Sequence, residues 1–550
     1  MLSIRKIGVI GRTYRHMNRY RQILSVLIKY GFGDLVERLD IEQYFEVGLQ
    51  MISQKPRPPV EKLTRAIRLR MVFEELGPAC TKLGQILSTR PDLVPKEFAE
   101  ELTLLQDSVK PRSFEEISKT LKKDLGQEPD KIFEHFSKTP LAAASIGQVH
   151  RARLKSGEDV AVKIRRIGIR KLIEVDLEIM LHLATLMEKH LEVMKLHRPV
   201  RIIEEFAKIL EKELDYTHEA AALERFSSAF LKDQTVLIPA VFKEISTTRV
   251  LVMEFIKGIK ISERESIESA GLDRKIIVSR GANLFLKQIF EHGFFHADPH
   301  PGNIFVLPNN VICLLDFGMI GIIDRATRED FLDLIDSVVH HNESKAARVL
   351  LQMSAQENDF GTFIPDSRML EKDIAEFMGR HLYKPLKDIA IGKLLNDLLD
   401  LAGRHRLRIP PDVFLMMKVF SVIEGIGMVL DPDFNLVKQA TPFIEKARFL
   451  RFHPQRIADD ALDMLTEIVK FMHHFPKDTL SITNMIRRKN LTVKLDHQGI
   501  DDIIGAHDRT INKLSFSIII AALIIGSALI VISNIPPLFY GISVIGIVFF

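Results

Sequence analysis

The chain is poor in cysteine. Its 550 residues include only two, Cys80 and Cys313, which are far apart and lie beside no cluster of histidines or further cysteines. A disulfide framework and a structural zinc site both require several such residues at short spacings. The sequence therefore supports neither kind of site, and it indicates a reducing compartment.

An excess of one charge is also lacking. The 76 basic residues are balanced by 72 acidic ones, so the formal net charge is only +4. Nucleic-acid-binding proteins usually carry a basic stripe or patch, and we expect no nucleic-acid partner here. Apolar residues make up 46% and charged residues 27% of the chain, which is ordinary globular usage. At about 150 residues per domain, the length allows three or four folded domains.

Acidic residues are missing from the first 33 positions, which are basic and amphipathic. Seven basic residues precede the first acid, Asp34, and these are Arg5, Lys6, Arg12, Arg15, Arg19, Arg21 and Lys29. Such a segment can lie on an anionic membrane surface, where each basic group contributes about 1 kcal/mol. A helix with one solvated face is an equally good interpretation. We predict a basic amphipathic N-terminal region over residues 1–55.

The last 37 residues have a different composition. Residues 514–533 form a run of 20 without a charge, long enough to cross a hydrocarbon core about 30 Å thick. After a turn signal at 534–537, residues 538–550 form a second apolar run, which is short for a full span. We predict a transmembrane helical hairpin over 514–550. Six basic residues between positions 487 and 513 place the preceding domains on the cytoplasmic side of the inner membrane.

Four segments occur in the chain order of a protein-kinase-like nucleotide site. One is the predicted strand and hinge at 250–255, and the other three carry polar candidate residues. The first, Val-Ala-Val-Lys, ends a predicted β-hairpin at Lys163, a candidate for pairing with nucleotide phosphates. The second, at 296–303, places Asp298 and Asn303 five positions apart, as in a kinase catalytic loop. The third is Asp-Phe-Gly, which begins at Asp316 after another predicted hairpin. Each segment alone is common, but all four in this order point to one site.

The residue types fit phosphoryl transfer, which needs charge neutralised on phosphate oxygens. Asn303 and Asp316 offer oxygen ligands suited to Mg²⁺. Asp298 would orient or deprotonate the acceptor hydroxyl or water. Glu254 and Phe255, at the end of a predicted strand, are candidates for the hinge against which adenine stacks. ATP and Mg²⁺ are therefore the predicted cofactors.

Lys163 needs an acidic partner, and the helical pattern downstream offers several. Glu211, Asp215 and Glu219 recur at i, i+4, so on one continuous helix they form an acidic stripe. Glu213 and Asp215 would point about 160° apart on the same helix. They could then face one phosphate together only if the helix were distorted.

A glycine-rich loop is missing from the first hairpin. Where a kinase carries that loop, this chain has Ala142, Ala143, Ala144, Ser145, Ile146 and Gly147. The added Cβ atoms restrict the positive-φ conformations that let backbone amides close over phosphates. A helical pattern also begins near Arg325, soon after Asp-Phe-Gly, which leaves no long activation segment. We therefore expect a stiffer nucleotide loop, no platform for docking a peptide and little ordinary protein phosphorylation.

These features, together with an upstream Lys-Leu-Gly-Gln, resemble the UbiB family of atypical kinases over residues 60–330. The KxGQ motif of the family corresponds to the stretch from Lys82 to Gln85, its Ala-rich loop to 142–145 and its ExD motif to 213–215. The two C-terminal apolar segments resemble the bacterial branch of the family. The resemblance implies that the KxGQ helix lies over the site where a peptide would bind, which makes its residues regulatory.

The resemblance also implies specific contacts and a role. Lys82 would meet Glu213 or Asp215, while Glu219 would pair with Lys163. The family role is in ubiquinone or related isoprenoid quinone biosynthesis. The residues by themselves point only to ATP, Mg²⁺ and a bilayer.

The predicted fold class is α+β, a two-lobed protein-kinase-like fold with an N-terminal helical extension and C-terminal transmembrane helices. The expected domains after the N-terminal region are a helical extension (56–128), a kinase-like N-lobe with inserted helices (129–258), a mostly helical C-lobe (259–480), a linker (481–513) and the hairpin.

The predicted function is that of a membrane-bound, kinase-like ATP-binding enzyme, either an ATPase or a small-molecule or lipid kinase. Expected partners are membrane lipids or prenylated quinone precursors, quinone-biosynthesis proteins and a second copy of the chain in a homodimer. Two alternatives stay open: an active protein kinase, and a non-catalytic scaffold that binds nucleotide within a membrane biosynthetic complex.

Overall fold

A computed structural model describes residues 14–39, 63–88, 93–105, 111–191, 198–340, 342–355, 366–381, 391–405, 409–451 and 500–532, with a few residues between and after these ranges. The chain divides into two compact units, Met1–His453 and Pro454–Phe550. The first unit mixes helices with β-sheets and contains every residue of the predicted site.

The first unit begins with a group of helices. They are α1 (Tyr14–Lys29), α2 (Gly33–Arg38), α3 (Arg65–Leu76), α4 (Pro78–Ser88), α5 (Lys96–Leu102), α6 (Phe114–Leu125) and α7 (Pro129–Ile132). Gly77 separates α3 from α4 with a φ of +94°, which glycine adopts without strain. Pro78 then starts α4, where a missing backbone N–H costs nothing. The turn lets α4 pack against both α3 and α5.

The N-terminal basic segment packs on the protein itself where it is described. Tyr20, Ile23 and Leu24 of α1 are buried in a core shared with α3 and later helices. Arg19 donates to both carboxylate oxygens of the fully buried Asp176, at 2.6 and 2.9 Å. The apolar face of α1 is therefore occupied by the core of the protein, which favours the interpretation of α1 as a helix with one solvated face. Residues 1–13 lie outside the described part.

A five-stranded antiparallel sheet forms the small lobe. Its strands are β1 (Phe133–Phe136), β2 (Ala142–Ala143), β3 (Gly147–Leu154), β4 (Asp159–Arg165) and β6 (Val250–Glu254), in the order β1-β3-β4-β6 with β2 beside β3. Val160, Val162 and Ile164 of β4 point into a core that includes residues of α6. Because side chains alternate along a strand, Ala161 and Lys163 face the opposite side.

Three helices are inserted between β4 and β6, and their boundaries correct the prediction of one continuous helix with an acidic stripe. They are α8 (Ile169–His190), α9 (Pro199–Glu213) and α10 (Tyr216–Phe230). The stripe of Glu211, Asp215 and Glu219 on one continuous helix is wrong, because α9 ends at Glu213. Asp215 is the N-cap of α10, and its carboxylate accepts from Thr217 N at 3.0 Å and from the Thr217 hydroxyl at 2.7 Å. An Asp at this position satisfies a free backbone donor, which favours starting a new helix there.

The large lobe contains a second sheet and a strand pair. The sheet has the order β5-β10-β9-β7, formed by β5 (Val236–Leu237), β7 (Ile259–Lys260), β9 (Ile304–Leu307) and β10 (Val311–Leu314), and β8 (Phe294–His296) pairs with β11 (Ile320–Ile322). The predicted second hairpin is present as β9 and β10. Leu315 N donates to the Asn303 carbonyl at 2.8 Å, so the hairpin brings its two flanking loops together.

Helices make up the rest of the large lobe. They are α11 (Arg264–Ser269), α12 (Arg274–Lys287), α13 (Arg325–Val339), α14 (Glu343–Ala355), α15 (Ser367–His381), α16 (Ile391–Arg404), α17 (Pro411–Leu430) and α18 (Leu436–Arg451). Among the described residues, α17 is the one helix that is both long and apolar enough to cross a membrane. Of its most apolar stretch, however, 56% is buried inside the protein. It packs against α12 and α16 and is a core helix of this lobe.

The second unit contains α19 (Ile500–Ile532), which covers all but one residue of the predicted span at 514–533. Where its side chains are described, the apolar stretch of α19 is Lys513–Gly526, which is shorter than a full span. Leu538–Phe539 and Ile542–Ser543 pair as a short antiparallel hairpin, so these four residues are strand instead of the predicted second helix. The other residues of 538–550 lie outside the described part.

Candidate active site

One cleft in the first unit collects most of the predicted site residues. Its volume is about 1520 Å³. The predicted residues that line it are Lys82, Ala142, Ala144, Ser145, Gly147, Lys163, Glu213, Asp215, Glu219, Glu254, Phe255, Asp298, Asn303 and Asp316. Two others lie outside the lining. Ala143 pairs with Gln148 within the sheet, and Gln85 Nε2 donates to the Leu105 carbonyl at 3.3 Å.

Lys163 joins two acidic residues at the centre of the cleft. Its Nζ donates to both carboxylate oxygens of Glu219, at 2.9 Å each, and to Asp316 Oδ1 at 3.0 Å. Burial opposes the charge on Lys163, but the carboxylates of Asp316 and Glu219 raise its pKa well above the ordinary value. Lys163 in turn lowers the pKa of Asp316, while burial raises the pKa of Glu219. Asp316 thus offers an ionised carboxylate, 52% exposed, to the cleft.

His296 connects the loops that carry Asp298 and Asp316. Its Nε2 lies 2.9 Å from the Asp316 carbonyl oxygen, and its Nδ1 accepts from the Asp298 backbone N–H at 3.2 Å. Burial lowers the pKa of His296, which favours the neutral ring with one donor and one acceptor that these partners require. Asp316 has a φ of +61°, a conformation that Asp tolerates better than most residues and that recurs at functional sites.

Asp298 and Asn303 are held by a tight loop after β8. His300 N donates to the Asp298 carbonyl at 2.7 Å, and Asn303 N donates to the His300 carbonyl at 2.8 Å. The Asp298 side chain is 44% exposed, and Lys418 of α17 places its Nζ 3.5 Å from Asp298 Oδ1. The loop therefore presents both predicted residues to the cleft on the side where Asp316 lies.

The alanine-rich segment is fixed by hydrogen bonds on several sides. β2 pairs with β3, and Ala144 N donates to the Gly147 carbonyl at 2.9 Å. Arg166 Nε donates to the Ala144 carbonyl at 3.0 Å, and Ser145 is only 2% exposed. A Cβ on Gly147 would lie 2.2 Å from the Tyr216 hydroxyl, so this position requires glycine. These contacts agree with the expectation of a stiff loop.

The predicted hinge lies at the end of β6. Glu254 N donates to the Ala240 carbonyl at 2.8 Å, and Phe255 N donates to the Asp159 carbonyl at 3.0 Å. The guanidinium of Arg151 lies 4.6 Å from the centre of the Phe255 ring. Both hinge residues therefore have fixed backbone positions at the cleft.

The contact expected for Lys82 is also formed. Its Nζ lies 3.2 Å from Glu213 Oε1, and the two side chains are only 17% and 9% exposed. The sequence left Glu213 and Asp215 as alternative partners of Lys82. In the structure the partner is Glu213, whereas Asp215 caps α10. The break between α9 and α10 is what turns Glu213 toward α4 and leaves Asp215 at the cleft.

Comparison with known proteins places the chain in a family. Residues 104–350 match the ABC1 atypical kinase-like domain, residues 374–435 the UbiB helical domain and residues 498–550 the ABC1/UbiB kinase-like C-terminal domain. A probable protein kinase UbiB from Aeromonas hydrophila is 32% identical over 460 residues, which cover 81% of each chain. The chain belongs to the ABC1/UbiB family.

Other ABC1/UbiB relatives differ in how much of them the chain covers. An uncharacterized protein from the hydrogenase 1 5′ region of Clostridium pasteurianum is 31% identical over 529 residues, which cover 96% of this chain and 95% of that protein. The chloroplastic protein ACTIVITY OF BC1 COMPLEX KINASE 7 of Arabidopsis thaliana is 35% identical over 427 residues, which cover 78% of this chain and 60% of that protein. The kinase-like region of this UbiB-family chain includes every predicted cleft residue except Lys82.

Close packing around Gly84 explains why the KxGQ stretch of this UbiB-family chain has a glycine. A Cβ there would lie 2.2 Å from Leu105 Cδ1 and 2.7 Å from Phe73 Cδ2. Helix α4 can therefore approach α3 and α5 only if this position has no side chain. The close approach also fixes the position of α4, whose Lys82 contacts Glu213.

Replacing Gly84 by Ala is expected to destabilise the protein by about 1–3 kcal/mol, because it overpacks a buried contact. Thermal unfolding measures the effect. The matched control is Gly403→Ala, since Gly403 is an exposed helical glycine whose Cβ would meet nothing within 4 Å. The control should melt at or above the wild-type temperature. A Gly84→Ala variant as stable as this control would contradict the packing argument.

Sequence analysis missed three residues at this UbiB-family site. His296 stood inside the catalytic-loop motif without an assigned role. Tyr216 is 3% exposed, its ring centre lies 5.5 Å from Lys163 Nζ, and its hydroxyl has no hydrogen-bond partner among the described residues. Burial raises the pKa of Tyr216. Lys418 lies 120 residues after Asp298, and no local pattern signals their contact.

Proposed function

We propose that this UbiB-family chain is a membrane-bound, ATP-dependent enzyme that hydrolyses ATP or phosphorylates a small molecule or lipid in support of ubiquinone or related isoprenoid quinone biosynthesis. The observation that carries the proposal is that Lys163, Asp298, Asn303 and Asp316 line one cleft. Their chemistry is sufficient for phosphoryl transfer, which depends mainly on positioning and on neutralising charge.

Asn303 and Asp316 are the residues that would hold Mg²⁺. The described residues include no group of three or more His, Cys, Asp or Glu side chains that could hold a metal ion. Mg²⁺ usually keeps several waters and binds one or two protein oxygens together with substrate phosphates. The amide oxygen of Asn303 and the ionised carboxylate of Asp316 fit that requirement. The ion would neutralise charge on the phosphate oxygens.

The remaining residues bind the nucleotide and move the proton. Lys163 would bind phosphate oxygens, and its two hydrogen bonds to Glu219 hold its ammonium group in place. Asp298 would accept the proton of the attacking hydroxyl or water as the new P–O bond forms. The bond between the γ-phosphorus and the bridging oxygen then breaks, and ADP leaves. Glu254 and Phe255 would border the adenine.

The acceptor is proposed to be a small molecule or lipid because the surroundings of the cleft leave little for a peptide to dock on. Gly318 is followed by β11 at Ile320 and by α13 at Arg325, so a long activation segment has no room in the chain. The buried Lys82–Glu213 pair fixes α4 beside the cleft, and this supports a regulatory role for the KxGQ residues Lys82 and Gln85 and the ExD residues Glu213 and Asp215.

Membrane attachment is proposed for α19. Its described side chains from Leu514 to Ile525 are largely apolar and many are about half exposed, and basic residues precede them, which favours a cytoplasmic position for the first unit. Such an anchor would hold the cleft near prenylated quinone precursors or other membrane lipids. Quinone-biosynthesis proteins and a second copy of the chain are the proposed protein partners.

A protein kinase is the second candidate, because relatives bear the name probable protein kinase UbiB. Full-length protein in phospholipid vesicles, supplied with γ-labelled Mg-ATP, separates the candidates. We expect released phosphate or a labelled small molecule or lipid. Label transferred mainly to protein would favour the kinase, and nucleotide binding without turnover would favour a scaffold.

The proposed membrane anchor has its own test. A chain ending at residue 510 should lose most of its vesicle binding, and full retention of vesicle binding would refute the role of α19 as the anchor.

A further inference from the structure

The loop that carries Asp298 has no permanently charged cation of its own. Between His296 and Asn303 it contains no Lys or Arg. Lys163 is already shared between Glu219 and Asp316. In phosphoryl transfer, negative charge is spread over the oxygens of the transferred phosphoryl group, and the Asp298 carboxylate would lie close to them. A second cation near Asp298 therefore has a clear use.

Helix α17 supplies such a cation. Lys418 Nζ lies 3.5 Å from Asp298 Oδ1, and the lysine side chain is 29% exposed. Pro411 and Leu415 of the same helix line the cleft. Positions 411, 415 and 418 follow i, i+4, i+7 spacing and so lie on one face of the helix. The face that borders the cleft therefore continues directly to Lys418.

The rest of α17 holds this lysine firmly. Met417 and Val419 on either side are 2% and 0% exposed. The helix carries only two other charged residues: Glu424 accepts from Gly392 N at 2.7 Å, and Asp412 lines the cleft. A partly buried charge costs free energy unless it is paired. Asp298 supplies the paired charge for Lys418.

We propose that Lys418 is a positioning residue for phosphoryl transfer: it holds the Asp298 carboxylate in the orientation that receives the proton of the acceptor. This inference rests on the proposed function and extends it to a second part of the chain. Lys418 lies in the segment that matches the UbiB helical domain, whereas Asp298 lies in the kinase-like domain. The helical domain thereby contributes a residue that the reaction needs.

The first test compares Lys418→Met, Lys418→Gln and Lys418→Arg in full-length protein in vesicles, with Mg-ATP turnover as the readout. The Met and Gln variants should lower kcat about tenfold or more and leave KM for ATP nearly unchanged, because the lost contact acts on the chemical step. The Arg variant should recover part of kcat. The control is Lys446→Met, whose lysine pairs with Glu291 at 2.7 Å, a residue outside the cleft lining. It should keep wild-type kcat.

The second test is a double-mutant cycle with Asp298→Asn. If Lys418 acts through Asp298, Lys418→Met should cost nothing further in the Asp298→Asn background. A wild-type kcat in the Met and Gln variants, or full additivity in the cycle, would overturn the inference while leaving the proposed function intact. Nucleotide binding without turnover in the wild-type protein would overturn the proposed function and this inference with it.

Discussion

Replacement of Asp298 by Asn is expected to lower ATP turnover by about 10²- to 10⁴-fold, the usual contribution of a positioned proton acceptor. Asn keeps the shape of the side chain but cannot take up a proton. Nucleotide binding should change little, because in the proposed function Asp298 would face the acceptor while Lys163 and Asp316 would face the phosphates. Steady-state turnover together with nucleotide-induced thermal stabilisation separates the two effects.

The control for this variant is Asp130→Asn, an exposed residue at the start of α7. It should retain wild-type turnover. The Asp298 variant also distinguishes an enzyme from a scaffold in cells, since a scaffold would tolerate it. Normal quinone levels in a strain that carries only Asp298→Asn would show that the proton acceptor is dispensable for the biological role.

Replacement of Lys163 by Met should have two large effects with one cause. Nucleotide-induced stabilisation should disappear, since the phosphates lose their lysine. The nucleotide-free protein should also lose about 3–5 kcal/mol of unfolding free energy, because Glu219 stays buried without its cation. Glu219 is 6% exposed, so water cannot easily replace the missing partner. Chemical denaturation measures the stability, and thermal shift with Mg-ATP measures the binding.

The two effects can be separated by a second substitution. Adding Glu219→Gln to Lys163→Met removes the stranded carboxylate and should restore part of the stability without restoring nucleotide binding. Lys243→Met is the matched control, because Lys243 pairs with Glu224 at 2.7 Å on the surface, where such pairs contribute about 0–1 kcal/mol. Unchanged nucleotide stabilisation in Lys163→Met would count decisively against the assigned site.

The convergence of the candidate residues in one cleft could be predicted from the sequence where they lie at the ends of strands and in short loops. Lys163 sits on the face of β4 opposite the apolar core, and that alternation is visible in the sequence. Asn303 and Asp316 flank a hairpin whose turn residues are equally visible. Their approach follows from the hairpin itself, since pairing of its two strands brings the flanking loops together.

The sequence failed where the answer depended on long-range packing. Glu211, Asp215 and Glu219 keep a helical i, i+4 spacing across the break, so only the cap formed by Asp215 reveals that the helix is broken. Lys418 meets Asp298 because α17 crosses the core of the large lobe, and no spacing rule connects residues so far apart. The same helix shows that apolarity alone does not identify a membrane span, since α17 is apolar because it is buried.

The most direct test of the central claim is an experimental structure of the full chain with Mg²⁺ and a non-hydrolysable ATP analogue. We predict the triphosphate in the cleft, with Lys163 at its oxygens, Asn303 and Asp316 on the metal and Asp298 facing the γ-phosphorus. A nucleotide bound elsewhere, or a metal that contacts neither Asn303 nor Asp316, would contradict the account.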